Sequence, residues 1–116
     1  MHEASLVENI IALAEASLES YQVAHVNSLT VHVGKLANVM EGALHFAFEA
    51  LSEESICRGA KLHLVFEPIS CSCRCCNKLF STEQIPAVCP VCRNGDVEIT
   101  GGTEIFLSDI DFDEED

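Results

Sequence analysis

Six of the seven cysteines of this 116-residue chain lie between Cys71 and Cys92, and four of them form two pairs of identical spacing. Cys73-x2-Cys76 and Cys89-x2-Cys92 are separated by twelve residues. Two tight turns of this kind can aim four thiolates at one ion, and zinc takes such a tetrahedral set at about 2.3 Å. Only these pairs have the two-residue gap, so Cys71 and Cys75 are read as non-ligating. Cys57, outside the cluster, reads as a buried or half-buried thiol. Redox dithiols or an iron cluster are the competing uses, but a doubled knuckle matches structural zinc more closely than a lone thioredoxin-type pair. Four thiolates leave no open position for water, so the ion would fold its module rather than catalyse. In the first knuckle Asn77 can take the left-handed conformation. The second, Cys89-Pro90-Val91-Cys92-Arg93-Asn94-Gly95, has a rigid proline in its turn and residues tolerant of positive φ just after it.

The second chemical feature is the opening Met1-His2-Glu3. The α-amine, the amide nitrogen of His2 and its imidazole can close fused chelate rings around one ion. Binding through the amide expels its proton, which Ni(II) and Cu(II) drive far better than Zn(II), and both favour the resulting square-planar nitrogen set. Glu3 could add its amide nitrogen, its carboxylate or a hydrogen bond to a ligand. The plainer alternative makes Glu3 a favourable anion near a helix N-terminus, worth about 0.3–1 kcal/mol, and His2 a solvated residue. His25, His32, His45 and His63 show no metal-ligand spacing and read as ordinary surface or core histidines.

Elements to position these groups follow from hydrophobic periodicity. Leu6, Val7, Ile10, Ile11, Ala14, Leu18 and Tyr21 recur at helical spacing from about Ala4 to Tyr21. Leu29, Val31 and Val33 alternate with Ser28, Thr30 and His32 in a strand that stops at Gly34. A second helix, about Glu41 to Ser52, aligns Leu44, Ala47, Phe48 and Leu51. Leu62, Leu64 and Phe66 mark a second strand ending at Pro68. Val97–Thr100 and Thr103–Ile110 read as strand around Gly101-Gly102, and Asp109–Asp116 as a frayed acidic tail. The fold class is therefore α+β: a small three-stranded sheet with two helices and an inserted four-cysteine zinc-ribbon module. Residues 1–69 with 97–116 form the body, and 70–96 the module.

Charge separates the same two parts. The formal net charge is −13; residues 70–96 carry +1, and the remainder, with 3 basic and 17 acidic residues, carries −14. That excess of acid argues against nucleic acid or an anionic membrane as partner. No apolar run approaches the roughly 20 residues of a membrane span. Glu3, Glu8 and Glu15 sit where a signal peptide would be basic or apolar. A cytoplasmic setting with reduced thiols is expected.

Taken together, these features resemble the HypA/HybF family of hydrogenase nickel-insertion metallochaperones. The likeness rests on Met1-His2-Glu3 opening an amphipathic helix, Val33-Gly34 closing a strand, and Glu41 with Leu44-His45-Phe46-Ala47-Phe48-Glu49 on the second helix. Gly59-Ala60-Lys61-Leu62, the two knuckles and an acidic final strand complete it. Three features depart from the family pattern: Asn77 where a glycine is common, Met40 where a proline is, and the added thiols of Cys71 and Cys75, which could compete for the ion. The resemblance implies that the body is a nickel domain binding Ni(II) through His2 and backbone nitrogens of Met1-His2-Glu3. It implies structural Zn(II) on Cys73, Cys76, Cys89 and Cys92, and a carrier of nickel rather than an enzyme. Implied partners are the nickel-handling GTPase HypB and the large subunit of a nickel–iron hydrogenase, with urease maturation served in some bacteria, by a monomer or weak homodimer. The competing reading is a zinc-ribbon protein–protein interaction module without nickel transfer.

Overall fold

Glu3–Ser17 forms helix α1 in a computed structural model of the chain, which describes residues 3–115. Strand β1 (Val23–Gly34), a 3₁₀ turn (Lys35–Ala37), helix α2 (Glu41–Ser52) and strand β2 (Lys61–Glu67) follow. Strands β3 (Ile69–Cys73), β4 (Leu79–Thr82), β5 (Val97–Gly101) and β6 (Ile105–Glu114) complete the order. Two three-stranded sheets result, β2-β1-β6 and β4-β3-β5. The chain separates into two compact units. One holds the chain up to His32, Val39–Val65 and the chain from Phe106 onward; the other holds Val33–Asn38 and Phe66–Ile105.

In the first unit the periodic stripe of α1 is its buried face: Leu6, Val7, Ile10, Ile11 and Ala14. It packs against α2, which buries Leu44 and Phe48. Each such large side chain contributes roughly 1.5–3 kcal/mol when fully removed from water. The helix ends at Ser17 rather than near Tyr21. Leu18 stays buried in the following turn, and the ring of Tyr21 meets Phe112 edge-on at 5.2 Å. Strand β1 begins earlier than periodicity suggests, so His25 lies within it rather than before it.

The acidic end of the chain corrects the reading of Asp109–Asp116 as a frayed tail: β6 runs through Glu114, and the Glu115 amide donates to the Gln22 carbonyl at 2.7 Å. Ile110 and Phe112 are half-buried while Asp109, Asp111 and Asp113 are exposed. That is the two-residue alternation of a strand with one wet face.

The second unit is built on antiparallel pairing of β3 with both neighbours: Cys71 lies opposite Phe80 on β4 and Ile99 on β5, with a bulge at Ser70/Cys71. Beside this sheet two stretches of backbone touch where only glycine fits. Gly34 donates to the Glu104 carbonyl and Leu36 to the Gly102 carbonyl, both at 2.7 Å. A Cβ on Gly34 would overlap the Gly102 carbonyl and lie 2.7 Å from the Thr103 amide nitrogen. Gly102 itself has φ +117°, a region that side-chain-bearing residues rarely enter. Its amide donates to the Glu104 carboxylate at 3.1 Å, which is the first cause holding that carboxyl below its usual range.

The backbone overlap at Gly34 has a measurable consequence. Gly34→Ala is expected to destabilise by about 2–4 kcal/mol, because backbone rather than a flexible side chain must move. Gly42, in the first turn of α2, has nothing within 4 Å of where a Cβ would sit, so Gly42→Ala should instead gain up to about 1 kcal/mol. Urea unfolding midpoints of the two variants check the sign of each.

Candidate metal centre

Each knuckle is one turn, made twice. The Cys73 amide donates to the Lys78 carbonyl at 2.9 Å, and the Asn77 amide returns to the Cys73 carbonyl at 2.9 Å. In the second knuckle Cys89 donates to Asn94 at 3.1 Å and Arg93 to Cys89 at 2.9 Å. The fourth residue after the first cysteine is left-handed in both, with φ 62° at Asn77 and at Arg93. Asn77 behaves as its residue type suggests. In the second turn, however, the left-handed position falls on Arg93 rather than on Asn94 or Gly95, at a cost of roughly 1–2 kcal/mol.

These turns bring the four sulfurs of Cys73, Cys76, Cys89 and Cys92 within 4.8 Å of one another. Cys73 Sγ lies 3.5 Å from Cys92 Sγ, and Cys76 Sγ 3.6 Å from Cys89 Sγ. A zinc tetrathiolate with bonds of about 2.3 Å has sulfur–sulfur edges of about 3.8 Å, so the donor set and its spacing fit that ion. Amides also point inward: Cys76 N lies 3.5 Å from Cys73 Sγ, and Val91 N lies 3.4 Å from Cys89 Sγ.

The electrostatics follow from those donors. The Cys92 amide, aided by that of Val91 and by the Cys76 and Cys92 thiols, brings Cys89 down to about 6 despite desolvation. Cys73 is likewise lowered, first by the Cys76 amide. Cys92 moves the other way: the Asn94 amide pulls it down, but Cys73, desolvation and the other two thiols outweigh it, raising it to about 12. Cys76 is raised too, since Cys89, desolvation and Cys73 overcome the Lys78 amide. The inward amides thus favour the charged form at Cys73 and Cys89, the neighbouring thiols disfavour it at Cys76 and Cys92, and a divalent cation among the four would relieve that repulsion.

The first knuckle is tied down by Arg74, whose amide donates to the Asp96 carbonyl at 3.0 Å and whose Nη1 meets Asp96 Oδ1 at 2.9 Å. Both side chains are more than half exposed, so the ion pair adds at most about 1 kcal/mol. No pattern in the sequence points to this pair, because it joins residues 22 apart. The other cysteines stay outside the sulfur cluster: Cys71 is buried in β3, Cys57 is buried with its thiol pushed up by desolvation, and Cys75 is exposed.

At the other candidate site, Met1 and His2 lie outside the described residues. Glu3 is the first residue of α1, and its carboxylate accepts the Met40 amide at 3.3 Å. A proline at position 40 would have no N–H to give. His32 stacks on Phe106, with ring centroids 4.7 Å apart and planes 4° from parallel.

Comparison with known proteins agrees with this arrangement. Residues 1–112 match the family model described as hydrogenase/urease nickel incorporation, metallochaperone, hypA. The chain is 39% identical to a hydrogenase maturation factor HypA of Syntrophus aciditrophicus, covering 97% of this chain and all of that one. It is 34% identical to HypA 2 of Bradyrhizobium diazoefficiens, again over 97% of this chain and all of the relative. Among solved structures it resembles the solution structure of the Ni metallochaperone HypA from Helicobacter pylori, with a TM-score of 0.71 and 31% identity. That match covers 99% of this chain and 100% of the other.

Outside the cluster two cysteines are buried and Cys75 is exposed, which makes a direct prediction. With the cluster metal-loaded, one thiol per chain should react promptly with a thiol reagent, and Cys75→Ser should abolish that reaction. Cys57 and Cys71 should react only when denaturant is added. Prompt labelling that survives Cys75→Ser would contradict the packing.

Proposed function

The chain belongs to the HypA family of hydrogenase/urease nickel-incorporation metallochaperones, and on that premise we propose that it binds Ni(II) at its own N-terminus for delivery to a maturing nickel–iron hydrogenase. The supporting observation is that the family match starts at residue 1 and so includes Met1-His2-Glu3. The amine, the His2 amide and the imidazole would supply the nitrogen donors, with Glu3 contributing its amide or carboxylate. Such an exposed chelate opens when its nitrogens are protonated, which suits transfer better than a closed cage. The chain carries its cargo without transforming it.

Cys73, Cys76, Cys89 and Cys92 would hold Zn(II), whose contribution is to lock the two knuckles together. Nucleotide energy for transfer would come from a partner, the GTPase HypB, and the receiver would be the hydrogenase large subunit, with urease a second destination. No helix among the described residues is long and apolar enough to cross a membrane, and a cytoplasmic site of action fits a protein that depends on reduced thiols. A second reading, a protein-binding zinc module without nickel transfer, draws on the exposed Leu79, Ile85, Val88 and Val91 beside the knuckles.

A Ni(II) titration of zinc-loaded, untagged protein beside His2→Ala separates these. One nickel per chain with a diamagnetic square-planar spectrum is expected, and that spectrum is lost in the variant while zinc stays at one per chain. Cys89→Ser should instead lose zinc. A square-planar signal of equal strength in both proteins would remove His2 from the site, and no nickel in either would favour the protein-binding module.

A further inference from the structure

Strand β6 lies at one side of the β2-β1-β6 sheet, so along Ile105–Glu114 it pairs with β1 and meets no other strand among the described residues. The N–H and C=O groups on its far side are left for water or for another strand, and such an edge is a template for pairing. What can pair there is set by the two faces that an added strand would continue.

One face is apolar and incompletely covered. Ile110 and Phe112 are half-buried, and with Leu18, Tyr21 and Leu107 they line a groove of about 280 Å³ between the turn after α1 and β6. The Tyr21 ring meets Phe112 edge-on, yet half of its surface stays exposed. An aliphatic side chain laid beside β6 on this face would cover that ring.

The other face is negative throughout. Asp109, Asp111 and Asp113 alternate with Ile110 and Phe112 and are exposed. Ser108 Oγ donates to the Asp109 carboxylate at 2.8 Å. The Asp111 and Asp113 carboxylates form no hydrogen bond or ion pair among the described residues. Residues 109–116 hold six carboxylates and no lysine or arginine. Side chains two residues apart on a strand stand roughly 6–7 Å apart, too far for these carboxylates to share one ion.

We propose that the β6 edge binds an extended segment of a partner protein in which lysine or arginine alternates with aliphatic residues, added to the sheet as a fourth strand. Main-chain hydrogen bonds to the open side of β6 supply affinity, and the two alternating faces supply specificity. The basic side chains fall opposite Asp109, Asp111 and Asp113, where cross-strand pairs of opposite charge are favourable. The aliphatic ones lie over the groove beside Tyr21 and Phe112. Charge decides between occupants: a second β6 would set aspartates against aspartates, whereas a basic strand neutralises them. The period of two on both faces favours a strand over a helix, whose side chains recur every 3.6 residues. This surface is independent of either metal site.

The test titrates full-length, zinc-loaded protein with a short synthetic peptide that alternates lysine and valine, followed by NMR and amide hydrogen exchange. Slower exchange at alternate amides of β6 is expected, with shifts at Tyr21 and Phe112. Asp109→Asn, Asp111→Asn and Asp113→Asn combined should weaken binding at least tenfold, with zinc content and circular dichroism unchanged. The same peptide N-methylated along the edge that meets β6 keeps its charge, loses its donors and should no longer slow exchange. Equal binding by the N-methylated peptide, or by one with its lysines and valines in separate blocks, would reduce the attraction to net charge and overturn the proposal. No binding, or shifts centred on α2 or the knuckles, would overturn it too. Protection of β6 that rises with protein concentration without peptide would assign the edge to a second copy instead.

Discussion

Four sulfurs that approach to 3.5 and 3.6 Å cannot all be thiolates unless something positive lies among them. The second unit depends on how that constraint is met, because little else holds it together. Its buried apolar side chains are Val33, Ile69, Cys71, Cys73 and Cys89, and two of those five are members of the cluster. A core this small falls well short of what a free-standing fold requires, and small units of this kind use a metal or cross-links in its place. The left-handed Arg93 fits this view, since a local conformational cost is tolerated where four donors must converge.

The first unit is organised on a different basis. Two helix faces and a strand supply aliphatic burial, so its stability does not require an ion. Ligands there can stay exposed and exchangeable. On the proposed assignment, a closed tetrathiolate would supply permanence and nitrogen ligands at the amino terminus would supply release. A thiolate cage with no open coordination position has nowhere for an incoming ligand to bind. Imidazoles and carboxylates at an accessible surface give an ion up when they are protonated or displaced.

Much of this was legible from residue types. Helix α2 occupies the expected Glu41–Ser52, and the sulfurs that converge are those the spacing selected. Both signals are local: a periodicity of 3.6 residues, and a turn whose geometry repeats. What escaped was tertiary. Spacing sets Cys71 aside as a ligand but does not show that it is buried, which follows only from the pairing of β3 on both sides. Arg93 carries no type-based sign of a positive φ; only the second turn's match to the first imposes it.

The acidic terminus shows how composition can mislead about order. A segment reading Asp-Ile-Asp-Phe-Asp-Glu looks disordered by charge alone. Yet alternate positions are apolar, and pairing half-buries Ile110 and Phe112. Strand β6 lies at the edge of the β2-β1-β6 sheet, where one side of its backbone is open to another chain. Edge-to-edge pairing of two copies there would bring Asp109, Asp111 and Asp113 of both chains into proximity and incur charge repulsion. The charge that makes the segment look unfolded therefore protects it once folded. Acidity confined to the wet side lets a long edge strand stay single while its other face contributes to the core.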